Sequence, residues 1–233
     1  MKLNIWFSFH MHATCKILLL LLSIFSTLSS FSQTVDTQWG LTQKKQKRTA
    51  VISDIVDSNE KGVFAIMEND PGYFRRSGLS FSKFLPPTLQ HYNPKMELLK
   101  EVPLQDKVGN QLLNFKFAQS MNRKVYVFSN MPNSQAKRNF LFVQAVDMET
   151  MQTLGKAKKI AESSLRNRRN FGEYNQVLSR DQSKFMIANS EAFEKGENEK
   201  FTLRVFDDNM SLLWEKNITI PYSDKLFEVE NYR

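Results

Sequence analysis

Short alternating apolar runs, turn residues between them and one recurring segment imply an all-β chain. The arrangement expected is a β-propeller-like array of four-stranded antiparallel blades, about three of them visible in an incomplete propeller. The recurring segment is a Met at the head of an apolar strand, just after a polar turn: Met96-Glu97-Leu98-Leu99, Met151-Gln152-Thr153-Leu154 and Met210-Ser211-Leu212-Leu213. The intervals are 55 and 59 residues, and a period of that size marks stacked supersecondary units. Strict alternation in Phe201-x-Leu203-x-Val205 is the signature of a half-buried strand.

From the N-terminus, Lys16, the apolar run at residues 17–28 and the small residues Ser30 and Ser32 form a secretory signal spanning residues 1–32. The run is shorter than the roughly 20 apolar residues a membrane-spanning helix needs. Trp6, Phe7 and Phe9 lie ahead of it, and Met11 offers a second start. Residues 33–49 are a polar lead-in whose basic run, Lys44-Lys45-Gln46-Lys47-Arg48, suits a solvated turn.

The propeller-like domain is placed at residues 50–233. Segments rich in β-branched and aromatic residues at 63–67, 112–117, 125–128, 140–146, 185–188, 201–206 and 217–220 are strands by composition. A short helix is expected within residues 156–168. The units fall at 50–104, 111–160 and 174–222, with 223–233 opening a further one. Each has the order strand, tight turn, strand, long loop, strand, tight turn, strand, which is a four-stranded blade. Propellers close with about 4 to 8 blades, so three units imply a truncated product or a fragment.

The turn Ser179-Arg180-Asp181-Gln182-Ser183-Lys184-Phe185 resembles the Ser-x-Asp-x-x-Lys turn of secreted bacterial WD40-like or TolB-type propellers. Phe206-Asp207-Asp208-Asn209-Met210-Ser211-Leu212-Leu213-Trp214 is similar to the outer hairpin of their blades. The resemblance covers most of the chain beyond the signal. It lacks a Trp-Asp blade ending and a kelch Gly-Gly, and the chain has only 8 Gly.

Composition narrows the chemistry. The one Cys, Cys15, and two of the three His, His10 and His12, leave with the signal. The mature chain therefore has no disulfide, thiolate or His-cluster metal site, and a serine triad would have to use His91 without a Gly-x-Ser-x-Gly elbow. Asp57-x-Asn59-x-Lys61-Gly62 puts Lys61 where a calcium loop needs oxygen, and Asp207-Asp208-Asn209 is a turn by type. Asn209-Met210-Ser211 and Asn217-Ile218-Thr219 match the glycosylation pattern but carry no sugar in a bacterial exported protein. No cofactor and no metal are expected. The net charge is +8, or +6 without Lys2 and Lys16. Basic balance favours anionic partners, such as acidic glycans, lipopolysaccharide or acidic peptides, and export disfavours nucleic acid.

In such a blade the long second-to-third connections and the blade links emerge on one face. That places Tyr73, Phe74, Arg75, Arg76, Lys137, Arg138, Arg166, Arg168, Arg169 and Phe171 on a common rim. Arg offers a planar donor fork for carboxylate or phosphate, and the aromatics offer stacking surfaces. The third long loop, residues 191–199, is acidic, so the face is mixed. Leu98, Leu99, Leu154, Leu212, Leu213 and Trp214 are assigned to packing. The function expected is an exported, non-catalytic binding or scaffold protein whose loop face takes a protein or anionic glycan partner in the periplasm or outside the cell. The alternatives are a propeller-type polysaccharide hydrolase or lyase using carboxylates such as Glu68 or Asp70, or a segment of a larger envelope-associated protein.

Overall fold

The structure, a computed structural model, describes residues 50–69, 86–167 and 169–223. The expected signal and lead-in (residues 1–49), Asp70, Tyr73, Phe74, Arg75, Arg76, Arg168 and residues 224–233 lie outside the described residues. Among the described residues every regular element is a strand.

Sheet I comprises β1 (Ala50–Asn59), β2 (Gly62–Asn69), β3 (Thr88–Tyr92) and β4 (Leu98–Pro103), side by side in chain order. A small hairpin follows, β5 (Lys107–Val108) with β6 (Gln111–Leu112). Sheet II comprises β7 (Asn114–Met121), β8 (Lys124–Asn133), β9 (Arg138–Asp147), β10 (Gln152–Asn167) and the short β11 (Asn170–Phe171). Sheet III comprises β12 (Tyr174–Leu178), β13 (Lys184–Ser190), β14 (Asn198–Asp207) and β15 (Leu212–Ser223). All pairings are antiparallel. The helix expected within 156–168 is instead the second half of β10. There Ile160, Ala161, Ser163 and Leu165 pack inward, and tertiary burial overrides the helix-permissive Lys158, Lys159 and Glu162 beside them. β15 runs to Ser223.

Alternation along β8 explains how one sheet serves two cores. Val125 and Val127 join Phe64, Ile66 and Leu89 of sheet I, whereas Tyr126 and Phe128 join Phe185, Ile187 and Phe206 of sheet III. Successive side chains of a strand point to opposite faces, so sheet II is buried on both sides. Phe117, Phe128 and Phe185 stack in series, with centroids 4.6 Å and 5.0 Å apart. Burying one such ring contributes about 1.5–3 kcal/mol.

The repeated Met is the last residue of a turn, not the head of a strand. Met96, Met151 and Met210 have φ of 61°, 54° and 58°, the left-handed region that costs a residue with a Cβ roughly 1–2 kcal/mol. In all three turns an Asx side chain closes the loop. Asn93 Oδ1 accepts the Lys95 and Glu97 N–H groups, Asp147 Oδ1 those of Glu149 and Thr150, and Asp207 Oδ1 those of Asn209 and Ser211. Left-handed backbone turns the Met inward: Met151 enters the core between sheets I and II, and Met210 the core between II and III. Met96 keeps 37 % of its surface exposed.

The assignment of the following apolar residues to packing is corrected. Leu99, Leu154, Leu212, Leu213 and Trp214 are each exposed over 44 % or more of their surface. They lie on β4 and β15, edge strands of sheets I and III, and on the first half of β10, which pairs with β9 alone; the buried anchors are Met151 and Met210 before them.

Candidate binding face

In these meanders the β8–β9 turn, the β10–β11 turn and the β13–β14 loop lie at one end. The β1–β2, β7–β8, β9–β10 and β12–β13 turns lie at the other. At the first end, Asn133 Oδ1 accepts the Ala136 N–H at 2.9 Å and Lys137 takes a φ of 51°. The Lys137 carbonyl accepts the Leu165 N–H at 3.0 Å, tying the β8–β9 turn to β10. Asn167 Oδ1 accepts the Arg169 N–H at 2.9 Å, closing the turn into β11.

Beneath these turns lies a buried polar seam between sheets II and III. Asn139 and Ser163 are fully buried. Asn139 Nδ2 and Ser163 Oγ both donate to the Gly172 carbonyl, at 3.2 Å and 3.1 Å, and Asn130 Nδ2 donates to Asn139 Oδ1 at 3.0 Å. The Tyr174 hydroxyl donates to the Asn139 carbonyl at 2.5 Å. Burial pushes the Tyr174 phenol up to about 12. Buried polar groups are costly unless paired, so this seam holds the overlying turns in one position.

The acidic β13–β14 loop folds onto the basic link. Ser164 N–H donates to Glu191 Oε2 at 2.6 Å, Asn170 Nδ2 donates to the Phe193 carbonyl at 2.9 Å, and Arg166 pairs with Glu194. A cleft of about 440 Å³ lies between them, edged by Glu191, Glu194, Glu197 and Glu199 against Arg166 and Lys200. A second cleft, about 310 Å³, is lined by Asn130, Pro132, Ser134, Leu165 and Phe171.

Five of the ten rim residues can therefore be placed, and all five sit at this end. Lys137 and Arg138 are on the β8–β9 hairpin, Arg166 is the penultimate residue of β10, and Arg169 and Phe171 belong to the β10–β11 hairpin. Their charges are not equally available. Arg166 is engaged by Glu194, and Arg138 lies 3.9 Å from Glu162. Lys137 and Arg169 form no ion pair among the described residues. Sequence reasoning placed the acidic loop on the face but not its clasp on Arg166, and it missed the seam. The one available signal was Gly172 in a chain of few glycines. A Cβ there would lie 2.0 Å from the Ser190 carbonyl oxygen and 2.7 Å from the Ser163 Cβ.

Glu68, a candidate in the hydrolase reading, accepts a hydrogen bond from Ser53 Oγ at 2.9 Å on sheet I. Among the described residues no three His, Cys, Asp or Glu side chains are grouped to hold a metal ion, and no helix is long and apolar enough to cross a membrane. Compared with known protein families, curated proteins and solved structures, the chain matches none of them.

Proposed function

We propose that the three sheets are successive blades of an incomplete β-propeller-like array, and that the chain is an exported, non-catalytic binding or scaffold protein. Its working surface is the end carrying the β8–β9, β10–β11 and β13–β14 connections. It takes a partner presenting clustered carboxylates or sulfates, as an acidic protein segment or an anionic glycan does. One observation carries this reading: three connections from two sheets are tied together over a satisfied polar seam, leaving Lys137, Arg138 and Arg169 exposed at the end that also carries Phe171. A preorganised surface loses little on binding, Arg recognises carboxylate by paired donors, and the Phe171 ring supplies an apolar neighbour. Glu191 and Glu194 hold the link rather than compete for ligand.

The test replaces Lys137, Arg138 and Arg169 by Ser together and measures binding to a heparin oligosaccharide and to poly-glutamate at two salt concentrations. Affinity is expected to fall about tenfold or more, with a shallower salt dependence. Undiminished binding of both probes refutes the assignment.

A further inference from the structure

The other end of the sheets holds a cavity of different chemistry. The β1–β2, β7–β8, β9–β10 and β12–β13 turns converge on it, so all three sheets contribute: Lys61 from sheet I, Arg123 and Glu149 from sheet II, Gln182 from sheet III. Its volume is about 470 Å³, within the roughly 300–1,000 Å³ of small-ligand sites. Phe64, Met121 and Met148 form an apolar floor. The Phe64 ring is fixed by stacking on His91, with centroids 4.2 Å apart and planes 7° from parallel.

The rim is charged. Asp57, Glu60 and Glu149 face Lys61 and Arg123, three carboxylates against two cations. Both cations bind the same atom, Glu149 Oε1, at 2.9 Å and 2.6 Å. Asp57 stands opposite Phe64 in the β1–β2 register, and its Oδ1 accepts the adjacent Ser58 N–H at 2.7 Å. Asp57 and Glu60 form no ion pair among the described residues. Sheet I thus brings negative charge to an aromatic and thioether floor, while the two cations of the rim are held on a third carboxylate.

We infer that this cavity binds a guanidinium or ammonium group on an apolar stem, supplied by an Arg or Lys side chain of a partner peptide. The fit is chemical. The stem of Arg or Lys lies along apolar surface while its head seeks charge, thioether and phenyl groups are polarisable neighbours for that stem, and one positive charge balances the rim. An anionic ligand would meet the excess carboxylate. The mouth is bordered by hairpins of all three sheets, which suits a segment of chain. The site is separate from the face described above, and neither depends on the other.

The experiment titrates the whole protein with a capped Leu-Arg-Leu peptide, its citrulline counterpart and agmatine, read by calorimetry. Citrulline keeps the shape and removes the charge. The arginine peptide is expected to bind about tenfold more tightly than the citrulline peptide, and more tightly than agmatine. In the Asp57→Asn/Glu60→Gln variant that preference is expected to vanish while thermal unfolding stays unchanged. Glu60→Lys, at the exposed turn tip, should abolish arginine-peptide binding and guards against a folding defect at Asp57. Equal affinity for the two peptides, no binding of either, or a preference that survives both variants overturns the proposal. Agmatine binding as tightly as the peptide overturns the peptide as the source of the cation.

Discussion

Gly172 fixes the seam through what it lacks. Its carbonyl receives Asn139 Nδ2 and Ser163 Oγ because no side chain keeps sheets II and III apart at that point. In Gly172→Ala the new methyl would overlap the Ser190 carbonyl oxygen, which is backbone and cannot swing aside. Overpacking of this kind costs about 1–3 kcal/mol. Gly155 is the useful contrast: a Cβ there meets nothing within 4 Å, but φ is +72°, so Gly155→Ala carries only the left-handed penalty of roughly 1–2 kcal/mol. Equilibrium denaturation should show both variants destabilised. Only Gly172→Ala should also change the backbone amide signals of Asn139 and Ser163, since only there is the defect a displacement of one sheet against another.

The third-to-fourth turn is the element repeated most faithfully, and it shows what sequence conveys and what it hides. The spacing of Met96, Met151 and Met210 is visible in one dimension and marks the units. Their left-handed backbone is not, because Gly or Asn is the usual occupant of that region. The strain is tolerated where the side chain is buried. Met210→Gly and Met151→Gly should therefore destabilise by about 1–3 kcal/mol, the loss of a buried Met less the relief of strain. Met96→Gly, at a site 37 % exposed, should cost at least about 1 kcal/mol less on the same scale. Equal losses at all three sites would refute the anchoring role. The same turns make an acid prediction. Backbone N–H groups, from Thr150 to Asp147 and from Ser211 to Asp207, hold both carboxyls below their usual range. A carboxyl with a depressed folded-state pKa contributes stability above its unfolded value, about 4, and that contribution fades as pH falls through the folded value. Sheet I performs the same closure with Asn93, so Asp147→Asn/Asp207→Asn should fold. Its melting temperature should fall less between about pH 5 and pH 2 than that of the parent chain.

At the scale of the whole molecule, the all-β character and the antiparallel meanders were legible because alternation and turn residues are local signals. The clustering of Lys137, Arg138, Arg166, Arg169 and Phe171 at one end was legible for a topological reason: alternate connections of a meander emerge at the same end. What joins one sheet to the next was not legible, because it is made by single atoms from distant segments. Two tyrosines show this. Tyr126 of sheet II donates to the Asp208 carbonyl of sheet III at 2.8 Å, and Tyr174 of sheet III donates to the Asn139 carbonyl of sheet II. They staple opposite ends of one interface in opposite directions. Burial, the largest cause, pushes both phenols from 10.0 up to about 12, with Asp208 and Asp207 adding to the rise at Tyr126. A group whose folded-state pKa is raised contributes its stability in full below the unfolded value and loses it as pH climbs through the folded one. Stability should therefore decline between pH 10.0 and about 12. Over that window the phenolate absorbance of these two residues should appear with unfolding rather than before it. Tyr174→Phe lowers stability at neutral pH by about 1 kcal/mol, the worth of one buried hydrogen bond, and should flatten the alkaline decline. A Tyr126→Phe/Tyr174→Phe variant that loses stability above pH 10.0 as steeply as the parent would show that neither phenol staples the interface.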